Sequence, residues 1–197
     1  ILDRPNPNGF YVDGPILDMK YKSGVGWLPI PVVHGMTLGE LALMVNGEHW
    51  LDNNAFCPLT VVPCANYTHQ TRYRLPIAPS PNLQNMLAIY LYPSTCYFEA
   101  TPVSLGRGTD KPFLQYGHPH MQKGKAFRES NTQPATFTPK SCPAALTPPQ
   151  QDRKCFGTDL SNLTEEQAMQ KGIDLSYLID AYQQLTIDNW FFSAFFE

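Results

Sequence analysis

The sequence has no apolar run of the roughly 18 residues that a membrane span needs, no Cys-x-x-Cys pair and no basic stripe. It also lacks a Walker loop, a dinucleotide fingerprint and a Gly-x-Ser-x-Gly elbow. The net charge of −3 argues against nucleic acid as the main partner. From these absences we expect no transmembrane segment in this chain, no nucleic-acid partner, no metal and no cofactor.

Cysteine is present but gives no clear framework. Cys142 and Cys155 flank a proline-rich loop and could pair in an oxidising compartment, as could Cys57 and Cys64. The odd count of five cysteines leaves at least one thiol free, so both pairings remain open. The spacing His118-x-His120 is too weak on its own to indicate a metal site.

Proline is the residue in excess, with 19 among 197 residues. The usual share is about one in twenty. Because each proline fixes its φ angle, the chain is expected to carry long ordered loops, and binding sites favour such loops. An aromatic content of 12% suits either a sugar-binding cleft or an ordinary core.

Residues 29–40 combine a proline-stiffened loop, one histidine and a helix start. Thr37 and Glu40 have the Thr-x-x-Glu spacing of a capping box, and apolar residues at helical spacing follow. Such a start offers unpaired amides and partial positive charge to an anionic or polar ligand, and His34 could face the same space. Alternatively, Glu40 only caps the helix and His34 only satisfies a loop carbonyl.

The first residues read as the end of a buried strand, and Leu59–Val62 as a second short buried strand beyond the helix. Ligands of open α/β sheets meet the loops at the carboxyl ends of parallel strands. Asp3, Arg4 and Asn6 would therefore stand at a ligand-facing edge, unless they form a simple surface turn. The loop 64–69, rich in polar and aromatic groups, follows the second strand in the same way.

A second candidate site lies in the loop that contains Glu99, Ser104 and Arg107. The two glycines that flank Arg107 indicate close backbone approach or positive φ angles beside a charged side chain. The guanidinium could fork onto a ligand carboxylate. Alternatively, it could form a salt bridge with Glu99 or Asp110.

The rest of the chain is predicted to contain a loop at 79–86 entering a short helix to about Tyr90, a strand at Tyr97–Phe98, and helices after a capping box at Thr164 and Gln167. The last residues place four aromatic side chains on one helical face that needs a partner, so we expect a fragment of a longer protein. Those side chains are Phe191, Phe192, Phe195 and Phe196.

Several long strings match one family in order over nearly the whole chain. They are Leu-Asp-Arg-Pro-Asn-Pro at 2–7, Asp-Gly-Pro-Ile-Leu-Asp at 13–18, Pro-Ile-Pro-Val-Val-His-Gly-Met-Thr-Leu-Gly-Glu at 29–40, Pro-Ser-Pro-Asn at 79–82, Glu-Ala-Thr-Pro-Val-Ser-Leu-Gly-Arg-Gly-Thr at 99–109 and Pro112-Phe113. In these strings the chain resembles the NamZ-type exo-β-N-acetylmuramidases, long catalogued as a domain of unknown function. One departure is Ala100, where the family pattern usually has glycine.

The resemblance implies an α/β fold: the end of a Rossmann-like catalytic lobe over residues 1–90, then a smaller, truncated α+β lobe over 91–197, with the active cleft between them. It implies a bacterial hydrolase of cell-wall recycling that releases terminal N-acetylmuramic acid from the non-reducing end of peptidoglycan fragments. The expected location is periplasmic or secreted, with or without a lipid anchor. The alternative is a non-catalytic module that binds cell-wall sugars.

The resemblance also orders the candidate residues by role. His34 and Glu99 are the candidates for catalytic support, because the family's principal catalytic glutamates are expected upstream of residue 1, which would leave this fragment inactive alone. Arg107 is the candidate partner for the lactyl carboxylate of muramic acid. The remaining substrate-binding candidates are Asp3, Arg4, Asn6, Thr37, Glu40 and Ser104.

Overall fold

The structure is a computed structural model that describes residues 1–127 and 131–185. It divides into two compact units, Ile1–Arg74 and Leu75–Glu197, and both contain helices and small sheets. The architecture is therefore mixed α and β. None of the helices within the described ranges is long and apolar enough to cross a membrane. The aromatic face expected at 191–196 lies outside the described residues.

The first unit is built around one helix and a two-stranded sheet. Strand β1 (Asp13–Ile16) pairs antiparallel with β2 (Pro31–Val33), and helix α1 (Leu38–Gly47) follows, as the capping box and apolar spacing predict. Leu2 and Val62, on either side of α1 in sequence, form a parallel bridge. The chain thus runs from extended segment to helix to parallel extended segment.

Within this chain the apolar side chains of both extended segments are exposed rather than buried as predicted, although Asp3 is buried. Leu2 is 70% exposed and Val62 is 53% exposed. Their parallel pairing is real, because Asp3 N–H donates to the Val62 carbonyl at 3.0 Å and Val62 N–H donates to the Ile1 carbonyl at 2.9 Å. A β-branched apolar run reports strand propensity, whereas burial also requires neighbours packed on the side chains.

The second unit packs helices with a three-stranded antiparallel sheet of order β3-β5-β4. Its core includes Phe98 stacked on Tyr116 with ring centroids 4.8 Å apart, and Tyr177, all fully buried. The elements are α2 (Met86–Thr95), β3 (Gln115–His118), β4 (Gln133–Phe137), β5 (Cys155–Asp159), α3 (Glu165–Lys171) and α4 (Ser176–Leu185).

Around α2 the structure corrects two predictions. The helix continues past Tyr90 to Thr95, and residues Cys96–Ala100 form a 3₁₀ helix where a strand at Tyr97–Phe98 was predicted. The amide of Cys96 donates to the Tyr92 carbonyl, so the helical path is kept while the Phe98 ring enters the core. Tertiary packing here overrides the β propensity of two adjacent aromatic residues. The second capping box, at Thr164 and Gln167, is confirmed.

All five cysteines are free thiols, so neither of the two possible disulfides is present. Cys155 is buried on the central strand β5, and burial raises the pKa of its thiol to about 11. Its sulfur donates to the Arg153 carbonyl rather than bonding to another sulfur. This thiol is therefore a core side chain, since a reactive cysteine requires a lowered pKa and exposure.

Candidate functional site

Helix α1 begins with the capping box that the sequence predicts. The Glu40 amide donates to the Thr37 hydroxyl at 3.2 Å, and the Thr37 amide donates to Glu40 Oε2 at 2.8 Å. Two donors that a helix start leaves unpaired are thereby satisfied reciprocally. Thr37 is itself buried, so its role in the structure is to fix the start of α1.

Asp3 completes this helix start from 34 residues away in sequence. Its carboxylate accepts from the Thr37 hydroxyl at 2.6 Å and from the Gly39 amide at 2.8 Å. Burial alone would raise the pKa of Asp3, but the hydrogen bonds it accepts outweigh burial and hold the pKa below the ordinary 3.8. The expectation that these amides are open to a ligand is wrong, because the chain's own carboxylate already occupies the position that favours an anion.

Gly39 makes this close approach possible, and α1 supplies a matched control. A β-carbon at Gly39 would lie 2.5 Å from Val61 Cγ1 and 2.9 Å from Asp3 Cγ, whereas one at Gly47 would meet nothing within 4 Å. We expect Gly39→Ala to lower the free energy of unfolding by about 1–3 kcal/mol through overpacking. Gly47→Ala should raise it by about 0.5–1 kcal/mol. Urea unfolding measures both; changes of the same sign would contradict the packing described here.

The other residues of the first loop also make internal contacts. The Asn6 side-chain amide donates to the Met36 carbonyl at 2.9 Å, and its oxygen accepts from the Asn8 amide at 2.9 Å. Both ends of this side chain therefore hold the turn against the segment before α1. Arg4 is exposed, and its guanidinium donates to the carbonyl of Asp3 at 2.8 Å.

His34 is half-buried and fixed by its own loop. Its Nδ1 accepts from the Met36 amide at 3.1 Å, which leaves the proton of the neutral ring on Nε2. Burial lowers the pKa of His34 below the ordinary 6.5, so the ring is neutral at pH 7. In this state His34 can donate a hydrogen bond from Nε2, which suits orienting a water or a carboxylate.

Sequence reasoning did not single out His69, although it noted the loop 64–69. His69 Nε2 lies 3.0 Å from Glu40 Oε1, and Nδ1 lies 2.9 Å from the Gly9 carbonyl oxygen. About half of each side chain is exposed, 52% for His69 and 44% for Glu40. Glu40 is thus both cap and ion-pair partner. We call this group the loop–helix site: Asp3, Asn6, His34, Thr37, Glu40 and His69.

The second unit contains a separate charged group. Arg107 Nη2 is paired with Glu99 Oε1, which is the salt-bridge alternative that the sequence left open. The Tyr92 hydroxyl donates to Glu99 Oε2 at 3.4 Å, and burial followed by the Glu99 charge raises the pKa of Tyr92 to about 12. The Arg107 guanidinium lies over the Phe113 ring at 5.1 Å. These four residues form the arginine cluster.

Several costly features converge on Arg107. The flanking glycines adopt φ angles of +73° and +77°, which confirms the predicted positive φ, and a β-carbon at Gly108 would lie 2.3 Å from the Lys140 carbonyl oxygen. Phe113 also has positive φ, +59°, although it is bulky and buried. The Arg107 Nε–H is buried without a partner among the described residues. Glycine adopts positive φ without strain. By contrast, the positive φ of Phe113 and the unsatisfied Arg107 Nε–H cost about 1–3 kcal/mol each, and such features cluster at functional sites.

Two other polar side chains of the segment around Arg107, those of Ser104 and Lys111, make internal contacts. Ser104 is fully buried, and its backbone pairs with that of Gly117, so its hydroxyl has no exposed surface to offer a sugar. Lys111 donates to Asp159 Oδ2 at 2.6 Å and to the Ser161 hydroxyl at 3.0 Å, which ties the loop after Arg107 to the end of β5. No sequence signal marked this ion pair, because its partners are 48 residues apart.

Two family models match the chain one after the other. The model for exo-β-N-acetylmuramidase NamZ, N-terminal, matches residues 1–87. The model for exo-β-N-acetylmuramidase NamZ, C-terminal, matches residues 90–196.

Individual relatives agree with this match. Over 152 residues the chain is 40% identical to a peptidoglycan β-N-acetylmuramidase NamZ from Bacillus subtilis (strain 168), covering 71% of this chain and 36% of that protein. A crystal structure of a DUF1343 family protein from Bacteroides fragilis is 65% identical, with a TM-score of 0.90, covering 96% of this chain and 51% of that one. A second such protein, 22% identical with a TM-score of 0.70, shares the fold and is covered to 48%. The chain therefore spans about half or less of each relative.

Proposed function

The chain belongs to the NamZ family of exo-β-N-acetylmuramidases, and from this membership we propose that its protein is a glycosidase of peptidoglycan turnover. The proposed reaction releases N-acetylmuramic acid from the non-reducing end of peptidoglycan fragments. The observation that carries the proposal is the consecutive match of both halves of the family over almost the whole chain. Its substrate would be met outside the cytoplasmic membrane, so we propose a periplasmic or secreted location.

We also propose that residues 1–90 belong to a Rossmann-like lobe and 91–197 to an ancillary lobe. Support comes from the parallel bridge between Leu2 and Val62 on either side of α1, which has the order of a βαβ unit. The family models meet between residues 87 and 90. The compact units divide earlier, after Arg74, because the segment that leads into α2 packs in the second unit, where the Leu75 amide contacts the Met86 sulfur at 3.5 Å.

Arg107 is proposed as the group that recognises the lactyl carboxylate, which muramic acid has and glucosamine lacks. A guanidinium has five N–H donors in a fixed fork, and only the Nη2 group is paired with Glu99. The side chain is 36% exposed, so a ligand can reach the outer donors. Glu99 and the Phe113 ring hold the guanidinium in place, which reduces the cost of ordering it when a ligand binds.

The three candidate carboxylates, Asp3, Glu40 and Glu99, are better suited to orientation than to bond cleavage. Glycoside hydrolysis usually needs two carboxyl groups that flank the scissile bond. Here Asp3 is buried against α1, Glu40 bonds Thr37 and His69, and Glu99 bonds Arg107 and Tyr92. We propose that His34 and Glu99 support catalysis, and that the principal catalytic pair lies in the part of the family's length that this chain does not cover.

This internal pairing also favours the second candidate, a module that binds cell-wall sugars without cleaving them. Release of nitrophenol from the 4-nitrophenyl glycosides of N-acetylmuramic acid and N-acetylglucosamine distinguishes the two functions. We expect the protein from the complete reading frame that encodes this chain to release nitrophenol from the muramic acid glycoside, and the chain alone to release none. Saturable binding of muramic acid without any turnover by the complete protein would favour the binding module instead.

A further inference from the structure

His69 lies between two groups that can only accept hydrogen bonds. Its Nδ1 is 2.9 Å from the Gly9 carbonyl oxygen, and its Nε2 is 3.0 Å from a carboxylate oxygen of Glu40. A neutral imidazole carries one N–H, so it can satisfy only one of these two acceptors. The observed arrangement therefore requires the imidazolium form, with a proton on both ring nitrogens.

We propose that His69 is a positioning residue of the loop–helix site: its imidazolium clamps Glu40 to the Gly9 turn, and loss of its proton releases one side of the clamp. Neither the capping box nor the role in catalysis proposed for His34 requires this histidine. The effect on substrate rests on the proposed function. The protonation state and the two contacts are properties of the chain itself.

The clamp acts on both sides of the site. Glu40 has one oxygen on the Thr37 amide at 2.8 Å and the other on His69, so both of its oxygens are fixed. On the other side, Gly9 lies against Gly35, where an added β-carbon on Gly9 would come within 3.2 Å of the Gly35 carbonyl oxygen. Gly35 directly follows His34. Fixing Gly9 therefore restrains the backbone that presents the His34 ring.

The surroundings of His69 favour its charged form. The groups that face it are Glu40 from α1, the Gly9 and Gly35 carbonyls, and Tyr67 from its own loop at 6.2 Å between ring centroids. The hydrogen bond to Gly9, then the one to Glu40, raises the pKa of His69 above 6.5. The clamp is therefore complete below pH 6.5 and is lost as the pH rises through the higher folded value.

The site thus contains two histidines with opposite pKa shifts. Burial lowers the pKa of His34, whereas hydrogen bonds raise that of His69. In the pH range between the two values, His34 is a neutral donor while His69 is a cation. Environments that shift the pKa values of two titratable groups in opposite directions suit the groups to different roles. Here His34 presents a single N–H, and His69 holds Glu40 and the Gly9 turn in place.

The first test is a ¹⁵N NMR titration of the histidine rings in the chain. We expect His69 to titrate above pH 6.5 with both nitrogens protonated below the midpoint, and Glu40→Gln to lower that midpoint. Glu48→Gln is the matched control, because it removes the same charge from the exposed C-cap of the same helix. It should leave the midpoint unchanged. A His69 midpoint at or below 6.5, or one unaffected by Glu40→Gln, would overturn the clamp.

The second test measures KM and kcat against pH for the complete protein with a muramic acid glycoside. We expect His69→Ala to lower kcat/KM by roughly 10- to 100-fold through misplacement of the site. We expect kcat/KM of the wild-type protein to fall at alkaline pH as His69 loses its proton. His69→Gln, whose amide can still reach Glu40, should recover part of the kcat/KM lost in His69→Ala, and its pH profile should lack this alkaline limb. If His69→Gln keeps that limb, the positioning role is wrong. Absence of turnover in wild type would overturn the proposed function alone, since the titration still decides the clamp.

Discussion

Replacing Asp3 with alanine is expected to lower the free energy of opening of helix α1 by about 3–5 kcal/mol. The substitution removes the acceptor of the Thr37 hydroxyl and of the Gly39 amide, both within a buried contact. Each buried donor left unpaired costs about 1–3 kcal/mol, and the favourable charge at the helix N-terminus is lost as well. Hydrogen exchange of the α1 amides measures the effect locally, without assuming that both units unfold together.

The same contact predicts an acid dependence. Because the folded pKa of Asp3 is below 3.8, its contribution to stability is fully present above pH 3.8 and is lost as the pH falls through the lower folded value. Asp3→Asn should cause an intermediate loss and abolish this acid step, since the amide keeps one acceptor without the charge. Asp52→Asn changes an exposed carboxylate of the same unit and serves as control. Equal exchange rates in Asp3→Ala and wild type would refute the anchoring role.

Arg107→Ala is expected to reduce kcat/KM for the muramic acid glycoside by roughly 10- to 150-fold, with a much smaller loss on the glucosamine glycoside. A hydrogen bond to a charged group contributes about 1.5–3 kcal/mol, and each 1.4 kcal/mol corresponds to about a tenfold change in kcat/KM. The loss should fall mainly on substrates that carry the lactyl carboxylate. Steady-state kinetics of the complete protein on the two glycosides measures this difference.

Two further variants separate recognition from folding. Arg107→Lys keeps the charge but not the fork, so it should retain only part of the muramic acid preference. Arg153→Ala removes an exposed arginine of the same unit and should leave both substrates unaffected. Amide exchange in β5 checks that the Arg107 variants remain folded. An equal loss on both glycosides in a folded Arg107→Lys protein would count against carboxylate recognition.

The sequence predicted best the features whose parts lie within one turn of helix. The capping boxes at Thr37 and Thr164 follow from residues three positions apart, and the positive φ angles around Arg107 follow from glycine itself. The strand predicted at Tyr97–Phe98 failed because the path of that segment is decided by packing of Phe98 on Tyr116. Propensity carries no information about that distant partner.

The candidate sites also combine features that depend on neighbouring residues with contacts between residues far apart in sequence. The loops that hold His34 and Arg107 were recognisable from local sequence, and so was the pairing of Arg107 with Glu99, eight residues away. The contacts that span longer stretches of sequence were not. Asp3 reaches Thr37 across 34 residues, and Glu40 reaches His69 across 29. The first contact closes the helix start that the sequence left open to a ligand. The second adds a histidine whose loop was noted only for its composition.

The most direct test of the central claim uses a natural substrate rather than a chromogenic one. The complete protein is incubated with two peptidoglycan disaccharides, one with N-acetylmuramic acid at the non-reducing end and one with N-acetylglucosamine there, and free sugars are measured by mass spectrometry. We expect release of N-acetylmuramic acid from the first disaccharide and no cleavage of the second. Cleavage of neither disaccharide, or of the second as readily as the first, would contradict it.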